Sequence, residues 1–157
     1  MGRTPWPAPI AGLAVLITAI TVAAPAGAAP DTNCVLATPV TEVAGVAQLP
    51  AVLKTLIGPI ADVGAPFNNT DAVDDPSLPF RRLIRAGHRG DDWFVWYEHG
   101  GITYFWQAVV ARVRPDGTVI PVANAGTIDD TLCAITDGAL AGKIPPYPDD
   151  SWQAGGF

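Results

Sequence analysis

The chain has 157 residues, with 15 acidic and 9 basic side chains and a net charge of −6. A surface of that sign repels phosphate backbones and anionic headgroups, which argues against nucleic acid and membrane surfaces as partners. Sixteen glycines, 16 prolines and a single methionine in a 49% hydrophobic chain are the usage of a GC-rich bacterial genome.

The first segment reads as an export signal. Arg3 is its only charge, Ile10 to Ala24 is an uninterrupted weakly polar to apolar run, and Pro25 precedes the small residues Ala26-Gly27-Ala28. That order predicts a cleavable leader over residues 1–28, cut after about Ala28, and a secreted or periplasmic mature chain. The apolar run, about 15 residues, is shorter than the roughly 20 that span a bilayer, so no stable membrane anchor is expected after cleavage. A lipid anchor is disfavoured because Cys34 follows the polar Asp31-Thr32-Asn33. The remaining 129 residues carry eight cations against 15 anions and suit one domain. That domain is expected over 29–143, followed by a Pro-rich tail, 144–157.

Cys34 and Cys133 are the only cysteines. In an oxidising compartment they are expected to pair. Their separation of 99 positions is unlike the Cys-x-x-Cys spacing of a redox catalyst. Such a bond is structural, and closing a loop of this length contributes roughly 4–5 kcal/mol in the chain-entropy picture.

Between Ala29 and Gln48 no period is sustained, although Val40, Val43 and Ala47 share a short helical face. That stretch is read as mostly irregular. Pro50 then opens a short helix, with Val52, Leu53, Leu56 and Ile57 at helical spacing and Gly58-Pro59 as its stop. Residues 62–79 concentrate Asp, Asn, Pro and Gly, the composition of a surface loop.

Four runs rich in aromatic and β-branched residues follow: Phe80 to His88, Trp93 to His99, Ile102 to Arg114 and Thr118 to Asn124. Gly-Asp, Gly-Gly and Pro-Asp-Gly separate them, which predicts an antiparallel four-stranded meander. A two-residue turn at Gly100-Gly101 would set Tyr97 opposite Tyr104 and Trp96 opposite Phe105. One face then carries Phe94, Trp96, Phe105 and Val109; the other carries Trp93, Val95, Tyr97, Tyr104 and Trp106. Both faces are apolar, so the sheet is either covered twice or exposes an aromatic patch. The turn at Pro115-Asp116-Gly117 fits a type I′ pair or a type I turn with a bulge at Gly117. After Gly126 a C-terminal helix is expected, capped by Thr127 or Asp129, with Asp129 and Asp130 in its first turn. Ile128, Leu132, Ile135, Ala139 and Leu140 lie on one side, Cys133 lies within it, and Gly142 ends it. The fold class is therefore α+β: a meander flanked by a short N-terminal helix and a C-terminal helix, with one disulfide. Tyr147 or Trp152 would pin the tail.

Arg81, Arg82, Arg85 and Arg89 fall within nine residues of an acidic chain. Guanidinium groups capture carboxylate or phosphate in bidentate fashion, so the cluster suggests a small anionic ligand or an acidic protein face. The plainer alternative is that they answer Asp71, Asp74, Asp75, Asp91 and Asp92. Simple alternation puts Arg81, Arg85 and Arg89 on one face and Arg82 on the other.

His88, Asp91, Asp92, Glu98 and His99 flank turns. The two histidines lie at opposite ends of their hairpin, Glu98 and His99 point to opposite faces, and no metal-ligand spacing is present. Ser77 and Ser151 are the only serines and neither sits in a nucleophile elbow. No Gly-rich phosphate loop precedes a helix, so neither cofactor nor metal is expected. Arg89-Gly90-Asp91 spells an adhesion tripeptide but consists of ordinary turn residues. Asn68-Asn69-Thr70 is formally a glycosylation acceptor.

The reading that follows is a non-enzymatic binding or inhibitor-like module. Its ligand surface would draw on Arg81, Arg85, Trp96, Tyr97, Tyr104 and Trp106, and its partner would be a protein, a cell-wall fragment or a small anion. The alternatives are a small secreted hydrolase using His99 or His88 with nearby carboxylates, and a structural envelope protein.

Overall fold

A computed structural model describes residues 1–2, 31–73, 75–127 and 132–146. All but two residues of the expected leader, and the tail beyond 146, lie outside the described residues. Among the described residues no helix is long and apolar enough to cross a membrane.

The aromatic and β-branched runs form strands β2 (Arg81–Arg89), β3 (Asp92–His99), β4 (Phe105–Val113) and β5 (Val119–Thr127). A further strand, β1 (Thr41–Val43), completes an antiparallel sheet of order β1-β2-β3-β4-β5. The expected four strands are thus five. Glu42 pairs with Gly87, where a Cβ would lie 2.6 Å from the Thr41 carbonyl oxygen and 2.8 Å from the Phe94 ring. Gly87 is what lets β1 approach, the usual meaning of a glycine inside a strand.

The β3–β4 register differs from a two-residue Gly100-Gly101 turn. Tyr97 faces Gln107 and Trp96 faces Ala108, so the partner of each has moved three positions along β4. Gly100 is occupied elsewhere: its N–H donates to the Phe80 carbonyl, and a Cβ on it would meet the Asn68 carbonyl oxygen at 2.0 Å. The chain reverses over residues 100–104 instead. An odd slip turns every β4 side chain to the other face. Val109 therefore joins Val95 and Tyr97, while Trp106, Ala108 and Val110 join Phe94 and Trp96.

At the next turn the Gly117 N–H donates to the Arg114 carbonyl, with Gly117 at φ 85°. This is the type I turn with a glycine bulge, one of the two geometries the sequence allows. Strand β5 runs past Asn124 to Thr127, one of the two expected caps, whose backbone pairs with Trp106. Residues 128–131, which include the other expected cap, lie outside the described residues.

Both sheet faces are covered. Helix α1 (Ala51–Ile57), stopped by Gly58 at φ 81°, packs Leu53 and Ile57 on Leu83, Ala86, Val95, Tyr97, Val109 and Ala111. Helix α2 (Leu132–Leu140) packs Leu132, Ala139 and Leu140 on Phe94, Trp96, Ala108, Val110 and Val122. Full burial of a leucine contributes roughly 1.5–3 kcal/mol. The Trp96 indole N–H donates to Thr136 Oγ at 2.8 Å, a hydrogen bond inside the α2-side core. The Cys34–Cys133 disulfide joins the segment before β1 to α2, and Asp137 reinforces it by accepting the Ala37 and Thr38 N–H groups at 2.9 and 3.0 Å.

Candidate functional site

The arginine-rich strand β2 does not alternate simply. A bulge between Leu83 and Arg85 puts Ile84 and Arg85 on the α2 side. Arg81 and Arg85, expected on one face, stand on opposite ones: Arg85 lies over the Trp96 ring at 5.1 Å, and Arg81 over the Tyr97 ring at 6.0 Å.

Three of the four arginines are engaged. Arg82 donates to both oxygens of Glu98, at 2.9 and 3.0 Å, and covers the Phe67 ring at 4.4 Å. Arg85 pairs with Glu42 and donates to the Cys34 carbonyl at 2.8 Å. Arg89 donates to the Leu140 carbonyl at the end of α2. Among the described residues the acidic partners of these arginines are the strand residues Glu98 and Glu42, not loop aspartates; Asp92 instead pairs with Arg112 at 2.7 Å.

Arg81 differs. It forms no ion pair among the described residues, and its Nε is buried without a hydrogen-bond partner. A buried guanidinium N–H left unpaired is unfavourable and marks a position where a further acceptor is welcome. Directly across the ladder stands His99, and across from His99 stands Phe105. These three residues begin or end their strands, so the sheet terminates there in an opening of about 380 Å³. Phe80, Ile102 and Phe105 give it apolar surface; Arg81, His99 and Thr103 give it polar groups; Gly100 and Gly101 contribute backbone. Ile102 is almost wholly exposed (93%), and Phe80 is partly so.

The imidazole is held firmly. His99 stacks on Phe105 with ring centroids 4.9 Å apart and planes 9° off parallel. Its Nδ1 lies 2.6 Å from the Gly100 carbonyl oxygen. A carbonyl only accepts, so Nδ1 carries the proton and Nε2 the lone pair. Burial pushes the His99 pKa down and the charge of Arg81 adds to that, against a smaller raising effect of the Gly100 bond. The net effect favours the neutral ring. Burial likewise raises the Tyr97 hydroxyl, offset in part by the charge and hydrogen bonding of Arg81.

The remaining expected ligand residues do not assemble into one face. Trp96 and Tyr97 are buried on opposite sides of the sheet. Trp106 packs against the α2-side core with Tyr104 edge-on to it at 5.2 Å, and the Tyr104 hydroxyl donates to Glu98. That bond, with burial foremost, raises the Tyr104 pKa. Of the six, the structure brings only Arg81 to the recess, with the buried Tyr97 ring beneath its guanidinium. Phe80, Ile102 and Phe105 are the residues that sequence reasoning passed over, and the available signal was Ile102, a bare β-branched residue directly after two glycines.

His88 stacks on Trp93 at 4.5 Å at the far end of β2, six ladder steps from Arg81, and does not meet His99. Glu98 faces Arg82, away from His99. Ser77 Oγ donates to Asp75 at 2.6 Å, and Ser151 lies outside the described residues. Among the described residues no three His, Cys, Asp or Glu side chains gather closely enough to hold a metal ion. The formal glycosylation acceptor Asn68 is buried, with its amide donating to the Asp75 and Leu78 carbonyls at 2.9 and 2.8 Å. In the Arg89-Gly90-Asp91 turn the arginine caps α2.

What the fold and site define is an α+β fold whose twice-covered antiparallel sheet ends in an apolar recess holding a guanidinium with one buried, unpartnered nitrogen and an imidazole with a free Nε2. Comparison with protein-family models, with curated proteins and with solved structures finds no match for the chain.

Proposed function

We propose that this is an exported, non-enzymatic binding protein that captures a small organic anion, a carboxylate with an apolar body, in the recess between Arg81 and His99. The observation that carries the reading is Arg81: alone among the β2 arginines it has neither a carboxylate nor a backbone carbonyl bonded to it among the described residues, its Nε is buried without a partner, and it opens onto apolar side chains. Concave, mostly apolar sites with a few convergent polar groups are where small ligands bind. A carboxylate supplies the acceptors that the guanidinium lacks, and Phe80, Ile102 and Phe105 take the apolar body. The leader-like first segment and the disulfide support an extracytoplasmic setting.

A ligand that binds only the native state raises its melting temperature in step with occupancy. A thermal-shift screen of organic acids, inorganic phosphate and neutral sugars on the wild type and on Arg81→Gln tests the reading. Stabilisation by organic acids that disappears in Arg81→Gln is expected; stabilisation by sugars alone, or equal shifts in both proteins, contradicts it.

A further inference from the structure

The recess holds two polar groups of opposite habit, and their placement limits the ligand further. Arg81 and His99 are a directly opposed cross-strand pair, so their Cβ atoms are separated by about 5 Å and both heads can meet one small molecule. Arg81 offers only donors. His99 has given its single ring proton to Gly100, so the nitrogen left for a ligand, Nε2, offers only a lone pair. No protein donor among the described residues occupies Nε2. A plain carboxylate satisfies the guanidinium and leaves Nε2 facing either an acceptor or hydrocarbon.

From this pairing we infer that the recess selects carboxylates that carry an O–H or N–H donor on the carbon next to the carboxylate: 2-hydroxy acids or N-acylated amino acids, with an apolar side chain. The inference rests on the anion-binding reading above. In such a ligand the carboxylate and the donor lie side by side, matching the side-by-side guanidinium and imidazole. The apolar side chain then meets Phe80, Ile102 and Phe105. The neutral state of His99, favoured by its burial and by the neighbouring Arg81, keeps Nε2 an acceptor at pH 7. Stacking on Phe105 and the Gly100 bond fix the ring, so the tautomer is set before the ligand arrives. A free 2-hydroxy acid and the C-terminal residue of a peptide share this chemistry.

The test is calorimetric titration at pH 7.5 with 3-phenylpropionate, 3-phenyllactate and N-acetylphenylalanine. The two acids with a donor are expected to bind about tenfold more tightly than 3-phenylpropionate, the effect of one well-placed hydrogen bond. Binding of 3-phenyllactate but not of N-acetylphenylalanine assigns the site to free hydroxy acids, and the reverse assigns it to peptide ends. In His99→Phe, which retains the ring stack, the advantage of 3-phenyllactate is expected to vanish while 3-phenylpropionate still binds. Equal binding of all three acids to the wild type leaves the anion reading standing and overturns the selectivity. Failure of all three to bind overturns both.

Discussion

Arg81 and His99 face each other across the β2–β3 ladder at the open end of the sheet, one with a buried Nε that has no partner, the other with a single protonated nitrogen committed to the Gly100 carbonyl. The pair brings a fixed positive charge and a neutral acceptor into one apolar recess. Several consequences of the surrounding structure are measurable.

The tautomer is the most immediate. With only two histidines in the chain, the imidazole nitrogen resonances are readily assigned. The ¹⁵N spectrum of His99 is expected to show a protonated Nδ1 and an unprotonated Nε2 at pH 7.5. A signal from the opposite tautomer contradicts the Gly100 bond.

His99 also ties stability to pH. Its folded pKa is below the ordinary 6.5 because burial disfavours the charged ring. The unfolded chain then binds more protons than the folded one in the window below 6.5, so this contribution is fully present above pH 6.5 and is lost as pH falls through the folded pKa. Resistance of the wild type to chemical unfolding is expected to weaken as pH falls from 7.5 to 5, and His99→Phe to flatten that slope. Asp75 and Asp116, whose pKa values are lowered from 3.8 by bonds to Ser77 and Thr118, act in a separate window at and below pH 4.

The α2-side core depends on the bond from the Trp96 indole to Thr136. Replacing Thr136 with Val keeps the volume and strands a buried donor, a loss of about 1–3 kcal/mol. Urea unfolding of Thr136→Val measures it, and no loss of stability contradicts the pairing.

Gly100→Ala tests the β3–β4 connection. The added methyl meets the Asn68 carbonyl oxygen at 2.0 Å, so backbone must move. Crowding of this kind costs typically 1–3 kcal/mol. The recess shares this connection through Gly100 and Gly101, so its ligand affinity is expected to fall too. Gly64→Ala is a poor control because of its positive φ, whereas Gly138→Ala adds only an ordinary contact at 3.4 Å to the Ile144 side chain and serves as the comparison. Equal stability of Gly100→Ala and Gly138→Ala contradicts the register.

What the sequence made legible follows from local chemistry. Periodicity and turn residues sufficed for β2 to β5 and for α1, and two cysteines in a chain read as exported sufficed for the Cys34–Cys133 bond. What escaped depends on which distant backbone a residue meets. Gly100 looks like a hairpin turn until Asn68 is known to lie against it, and that one contact decides the face of every β4 side chain. The bulge after Leu83 leaves no compositional mark, yet it separates Arg81 from Arg85. Strand β1 is too short, at Thr41–Val43, to show a period, and its one trace was Gly87 on the neighbouring strand. The site suffered accordingly. Arg81 was visible as one of a cluster, but its isolation from carboxylates emerges only when Glu42 and Glu98 are seen to hold Arg85 and Arg82.

The central claim is that Arg81, and not the arginine cluster as a whole, receives an organic anion. Calorimetric titration of 3-phenyllactate into the wild type, Arg81→Gln and Arg85→Gln tests it most directly. The account predicts binding to the wild type and to Arg85→Gln with similar affinity, and a loss of at least about tenfold in Arg81→Gln, the effect of removing one charge-assisted hydrogen-bonding partner. Unchanged affinity in Arg81→Gln, or the same loss in both variants, would contradict it.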